Sequence, residues 1–131
     1  MDDDRQRDRR YHGGPSRALC LYSGELIDAL AAERHPIAPG VVGENVTIRG
    51  VDWRLIQPGT LLRMGAVEAE VTAFTPPCKT ISHAFVGANY PRISEKLHAG
   101  WSRVYVRILA PGTIVVGDTV VVHLDPSELT D

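Results

Sequence analysis

The chain of 131 residues has only two cysteines, Cys20 and Cys78. Two thiols are too few for a four-cysteine cluster and make a poor case for a disulfide in an unsecreted protein. The N-terminus, Met1-Asp2-Asp3-Asp4-Arg5-Gln6-Arg7-Asp8-Arg9-Arg10, is the opposite of a secretion signal. No apolar run approaches membrane-spanning length. A cytoplasmic protein is expected. Net charge is −2, which does not imply a nucleic-acid-binding surface. Gly-x-Ser-x-Gly, Walker-type and dinucleotide-binding motifs are absent, as are flavin and iron–sulfur motifs. None of the five histidines pairs at zinc-ligand spacing. A serine hydrolase has no anchor here, and any reductase must be a separate protein. No low-complexity linker divides the chain, and its length suits one domain with one core.

Turn signals are abundant from Pro39-Gly40 onward. Gly43, Gly50, Pro58-Gly59, Gly65, Pro76-Pro77, Pro111-Gly112 and Gly117-Asp118 punctuate short apolar runs. The runs are 46–48, 61–64, 67–74, 101–109, 113–116 and 119–124, each read as a strand. Arg17 to Tyr22 reads as an earlier, buried strand. A helix follows, capped by Ser23, with Glu25 at its positive end and Leu26, Ile27, Leu30 and Ala31 as its apolar face. Pro36 forbids its continuation. Segments 79–85 and 92–97 are expected as short helices. Pro-Gly-Thr at 58–60 and 111–113 suggests one turn used twice. Many short strands with few helices predict a mainly β protein, a closed or nearly closed barrel or sandwich. Residues 1–14 form a charged N-terminal arm or loop, and residues 15–131 the β domain.

Three strings could carry chemistry. Thr75-Pro76-Pro77-Cys78-Lys79 ends the alternating run Val67 to Phe74. Prolines cannot continue a ladder, so Cys78 stands just past a strand end beside Lys79, whose charge favours thiolate. Thiolate attacks electrophiles and binds soft metals. A half-buried cysteine beside a turn is the other reading, and the residues leave both open. In Val42-Gly43-Glu44-Asn45-Val46-Thr47, glycine permits close approach to a ligand, and Glu44 and Asn45 offer polar groups. Alone, this string reads more simply as a loop in which Asn45 holds backbone groups. In Arg9-Arg10-Tyr11-His12-Gly13-Gly14, guanidinium forks and backbone amides could bind an anion. Alone, it reads more simply as a solvated tail. Cys20, within Ala18-Leu19-Cys20-Leu21-Tyr22, is most simply a core residue, and Trp53 and Trp101 are expected in packing.

The three strings are specific in combination. His12-Gly13-Gly14-Pro15, Pro39-Gly40-Val41-Val42-Gly43-Glu44-Asn45 and Pro77-Cys78, in this order, resemble the MOSC domain, the molybdenum-cofactor sulfurase C-terminal domain family. The resemblance runs from about Asp4 to about Leu124, and Gln6 to Gly14 is similar to small stand-alone bacterial members. It implies a MOSC-type β-barrel with a few short helices and a surface cleft. It implies that Cys78 is the molybdenum ligand or the sulfur carrier. Arg9, Arg10, His12, Gly13, Gly14, Gly43, Glu44, Asn45 and Lys79 become candidates to hold the molybdenum cofactor and its phosphate. His12 and Asn45 are then expected near Cys78.

Three functions follow from the resemblance. One is a molybdenum-cofactor protein acting with a separate electron-donating reductase on N-hydroxylated bases or amines. A second is a sulfur carrier whose Cys78 persulfide is loaded by a pyridoxal-phosphate-dependent cysteine desulfurase. The third is a truncated, inactive MOSC domain. Family members usually have two further strands before the segment that begins here, and Asp3 stands where they have glycine. The chain is therefore expected to lack two N-terminal strands. That would leave Arg17 to Tyr22 an uncovered apolar edge, to be hidden by aggregation or homodimerisation.

Overall fold

The computed structural model describes residues 9–11 and 18–123. It is mainly β, as expected. Strands β1 (Arg9–Tyr11) and β2 (Ala18–Ser23) come first, then helix α1 (Gly24–Ala32). β3 (Val46–Ile48), β4 (Leu61–Met64), β5 (Val67–Phe74), β6 (Val104–Ala110), β7 (Gly112–Ile114) and β8 (Val120–His123) follow. Six of them form one curled sheet in the order β3-β2-β6-β5-β4-β8, and β1 pairs antiparallel with β7. Thus part of the segment read as an arm or loop, Arg9 to Tyr11, is a short strand.

Alternation places the core. Along β5, Val67, Ala69 and Val71 are buried; along β6, Val104, Val106 and Ile108 are. Side chains of period two put these rows on one face. The other face carries the ion pairs Arg63–Glu68 and Arg107–Glu70 across adjacent strands. Such solvent-exposed pairs contribute little and serve mainly to keep that face polar. Register shifts between β5 and β6, at Glu68/Ala69 and Val71/Ala73, mark bulges that bend the sheet.

β2 lies inside this sheet. It pairs parallel with β3 and antiparallel with β6. The expectation of an uncovered edge at Arg17 to Tyr22 is therefore wrong, and so is the ground it gave for aggregation or dimerisation. β3 and β8 are the edges.

Other expectations need correction too. Ser23 does cap α1, its hydroxyl accepting from Leu26 N at 3.1 Å, and Ile27 and Leu30 are buried. Ala31, however, is exposed, because it sits at the rim of the apolar stripe. The helix ends at Glu33, and Arg34 adopts a left-handed φ of 76° before Pro36. Segment 79–84 is a 3₁₀ helix, but only Arg92 and Ile93 of 92–97 are helical, in a 3₁₀ turn over Tyr90–Ile93. The two Pro-Gly-Thr strings are not one turn. Gly59 has φ +97°, whereas Gly112 is a residue of β7 beside Ala66, where a Cβ would come within 3.0 Å.

Candidate functional site

β5 ends where Pro76 and Pro77 stop its ladder. The strap beyond it, Thr75 to Cys78, is tied down from the start of β6. Thr75 N donates to Arg103 O at 2.9 Å, and the Ser102 hydroxyl has two acceptors in reach for its one proton, Arg103 O at 2.6 Å and Thr75 O at 3.3 Å. Ser102 is itself fixed, since its carbonyl accepts from Trp53 Nε1 at 2.8 Å. Cys78 then stands in extended backbone, exposed, immediately before the 3₁₀ helix.

The Cys78 sulfur lies 2.8 Å from Thr80 Oγ1. The Thr80 hydroxyl, then its backbone N–H, holds the thiol below its ordinary pKa, with a smaller lowering from the Arg103 charge. Hydrogen bonds to sulfur favour the ionised form. The sequence had assigned this effect to Lys79. The structure gives it to Thr80, which sequence reasoning missed. The hint was there: a hydroxyl two residues after an extended residue is well placed to bond back.

Loop 39–45 is held by its own polar groups. Glu44 is buried; its Oε2 accepts from Gly40 N at 2.8 Å and from Thr47 Oγ1 at 2.9 Å. Glu44 Oε1 is buried without a hydrogen-bond partner among the described residues. Asn45 N donates to Cys20 O, and Cys20 N donates to Asn45 Oδ1, both at 2.7 Å. Asn45 thus extends the β2–β3 pairing by one step. Gly43 N donates to Gly40 O at 3.2 Å. The backbone N–H groups of Gly43 and Asn45 are thus both bonded within the chain.

Arg103 joins the loop to the strap. Its Nη1 donates to Val42 O at 2.8 Å and its Nη2 to Pro76 O at 3.2 Å. Two of the three strings therefore meet at one buried guanidinium. No alternation or motif in the sequence pointed to it. His12, Gly13 and Gly14 lie outside the described residues, so their approach to Cys78 does too. Arg9 and Arg10 lie on β1, paired with Ile114 and Thr113. Lys79 is exposed beside Cys78. Among the described residues, no three His, Cys, Asp or Glu side chains cluster as a metal site. A groove of about 260 Å³, lined by Trp53, Arg54, Phe74, Glu95 and Ser102 among others, does not include Cys78.

Cys20 is buried, as expected, but not in a purely apolar setting. Its Sγ lies 3.8 Å from Thr75 Oγ1. Burial raises its pKa, against the lowering pull of Thr75 and Arg103. A serine at Cys20 would find these partners, so Cys20→Ser should cost only about 1 kcal/mol, the low end for burying a hydroxyl. The folded-state pKa lies above the unfolded one. Stability tied to the neutral thiol is therefore complete below about pH 9 and lost as pH rises beyond it. Urea unfolding at pH 7 and at pH 10 should show a smaller alkaline loss in Cys20→Ser than in the parent.

The fold and its Pro-Cys strap define a class. The MOSC domain family model matches residues 8–121. The chain belongs to the MOSC domain family. It is similar to protein YiiM of Escherichia coli (strain K12), 27% identical over 120 residues, covering 87% of this chain and 52% of that protein. It is also similar to the uncharacterized protein YflK of Bacillus subtilis (strain 168), 26% identical over 118 residues, covering 89% and 52%. The crystal structure of YiiM from Geobacillus stearothermophilus superposes with TM-score 0.67 at 25% identity, covering 85% of this chain and 56% of that one. The chain spans about half the length of these relatives. No helix among the described residues is long and apolar enough to cross a membrane.

Proposed function

We propose that this MOSC-family chain binds molybdenum cofactor through Cys78 and acts as a reductase component on N-hydroxylated bases or amines. One observation carries the proposal: an exposed thiol, held toward thiolate by Thr80, at the strap that the family's Pro-Cys motif marks. A soft thiolate is a suitable ligand for a thiophilic metal. A single protein sulfur suits a metal that arrives with its other ligands on an organic carrier. The fit is narrower at loop 39–45, where the Gly43 and Asn45 amides are already bonded. In this reading Gly43, Glu44 and Asn45 shape the wall, and any grip on phosphate falls to Arg9, Arg10, Lys79 and the His12-Gly13-Gly14 segment.

Bound cofactor would supply two-electron redox chemistry at its metal. The chain's own share is to present Cys78 Sγ, to favour its ionised form through Thr80, and to hold the strap still. Reducing an N–OH to N–H consumes two electrons and two protons and releases water. The electrons would come from the separate reductase. The same thiolate supports a second reading, a persulfide carrier loaded by a desulfurase, because sulfur transfer also needs an exposed, ionised thiol.

Elemental analysis and persulfide labelling of the purified protein separate the two. Molybdenum near one per chain is expected. Persulfide on Cys78 without molybdenum would favour the carrier, and neither would leave an inactive domain.

A further inference from the structure

We infer that Arg103 is the positioning residue of this site: by bonding Val42 and Pro76 together it fixes strap 75–78 against loop 39–45 and so sets where the Cys78 sulfur stands. The inference rests on Cys78 being the reactive group.

Arg103 is 6% exposed. A buried cation costs desolvation that its contacts only partly return, so an apolar side chain of similar volume would often serve stability as well. What an apolar side chain cannot do is bond two carbonyls at once. The planar guanidinium can, with one arm at 2.8 Å from Val42 O and the other at 3.2 Å from Pro76 O. Its own backbone carbonyl takes the Thr75 N–H, so the strap is gripped at two successive residues. Pro76 and Pro77 narrow the backbone freedom between that grip and Cys78. The groups that sense the Arg103 charge are Cys20, Tyr22 and Cys78, and the buried Glu44 carboxylate acts on Cys20 and Tyr22 as well. The cation therefore sits in the polar seam between the loop and the strap.

Arg103→Leu and Arg103→Lys test this. Lysine keeps the charge but is a point donor that cannot fork to both carbonyls. Two readouts go beyond stability: iodoacetamide labelling of Cys78 across pH, resolved by peptide, and amide exchange by mass spectrometry. In Arg103→Leu, Cys78 should label more slowly at neutral pH, with its profile displaced to higher pH, as the smaller lowering by the Arg103 charge is lost. Peptides covering 39–45 and 75–80 should exchange faster while β4 and β5 keep their protection. Arg103→Lys should not restore loop protection.

An unchanged Cys78 profile with unchanged loop exchange in a folded variant would overturn the inference. So would a uniform loss of protection across the sheet, or failure of both variants to fold; either makes Arg103 a core residue only. Neither readout requires molybdenum. Its absence from the parent protein would sink the proposed function and leave this result standing.

Discussion

Cys78→Ser should lower bound molybdenum, or persulfide if that is the cargo, by at least roughly tenfold, with the fold left intact. The loss is large because the described residues offer no alternative cluster of ligands. Oxygen is a harder and poorer ligand than sulfur, and serine stays protonated where this thiol ionises. The fold survives because Cys78 is exposed and lies outside the sheet. Its side-chain hydrogen-bond partner, Thr80 Oγ1, accepts a hydroxyl as readily as a thiol. The thermal midpoint should move by no more than about 2 °C, as for surface substitutions generally. Content is compared after matched purification. Equal content in mutant and parent would rule out Cys78 as the ligand.

Trp53→Ala should destabilise the protein by about 3–5 kcal/mol. That is a large share of the 5–15 kcal/mol typical of a whole domain. The indole is buried and meets the Tyr22 ring edge-on at 6.2 Å between centroids. Its Nε1 also satisfies the Ser102 carbonyl. Ser102 in turn holds Thr75, so the damage should reach the strap as well as the core. Trp53→Phe keeps most of the packing but strands the buried carbonyl, for about 1–3 kcal/mol. Urea unfolding of the two variants beside the parent checks both the size and the order. A Trp53→Ala loss below about 1 kcal/mol would contradict the packing described.

Where sequence reading succeeded, it succeeded on periodic signals. The alternation through Val67 to Phe74 reads as a strand and is one, and the apolar run 101–109 contains most of β6, which starts only at Val104. Ser23 three residues before Leu26 is a local cap, and local hydrogen bonds are visible in sequence. The simpler reading of Asn45, as a residue holding backbone groups, matches its bonds to Cys20. Of the two readings left open for Cys78 past its proline-terminated strand, exposed or half-buried, the structure has the exposed one. What was not legible is long-range. Nothing near Arg103 in the chain announces Val42, 61 residues away, or Pro76, 27 residues away. The same holds for β2: the two upstream strands expected from the resemblance suggested an uncovered edge, while crossover pairing with β3 and β6 put it inside. Lys79 attracted attention by charge, yet the shorter Thr80 reaches the sulfur.

Cys78 is the exposed thiol, held below its ordinary pKa, and Cys20 the buried one, pushed above it. Both sit in one molecule, so each controls for the other. Label the native protein with iodoacetamide from pH 5 to pH 10 and quantify each cysteine by peptide mass spectrometry. Cys78 should react at pH values where an ordinary thiol is still protonated, while Cys20 stays unlabelled until the protein unfolds. A Cys78 profile centred at or above the ordinary thiol range, or labelling of Cys20 at a comparable rate in the folded state, would contradict it.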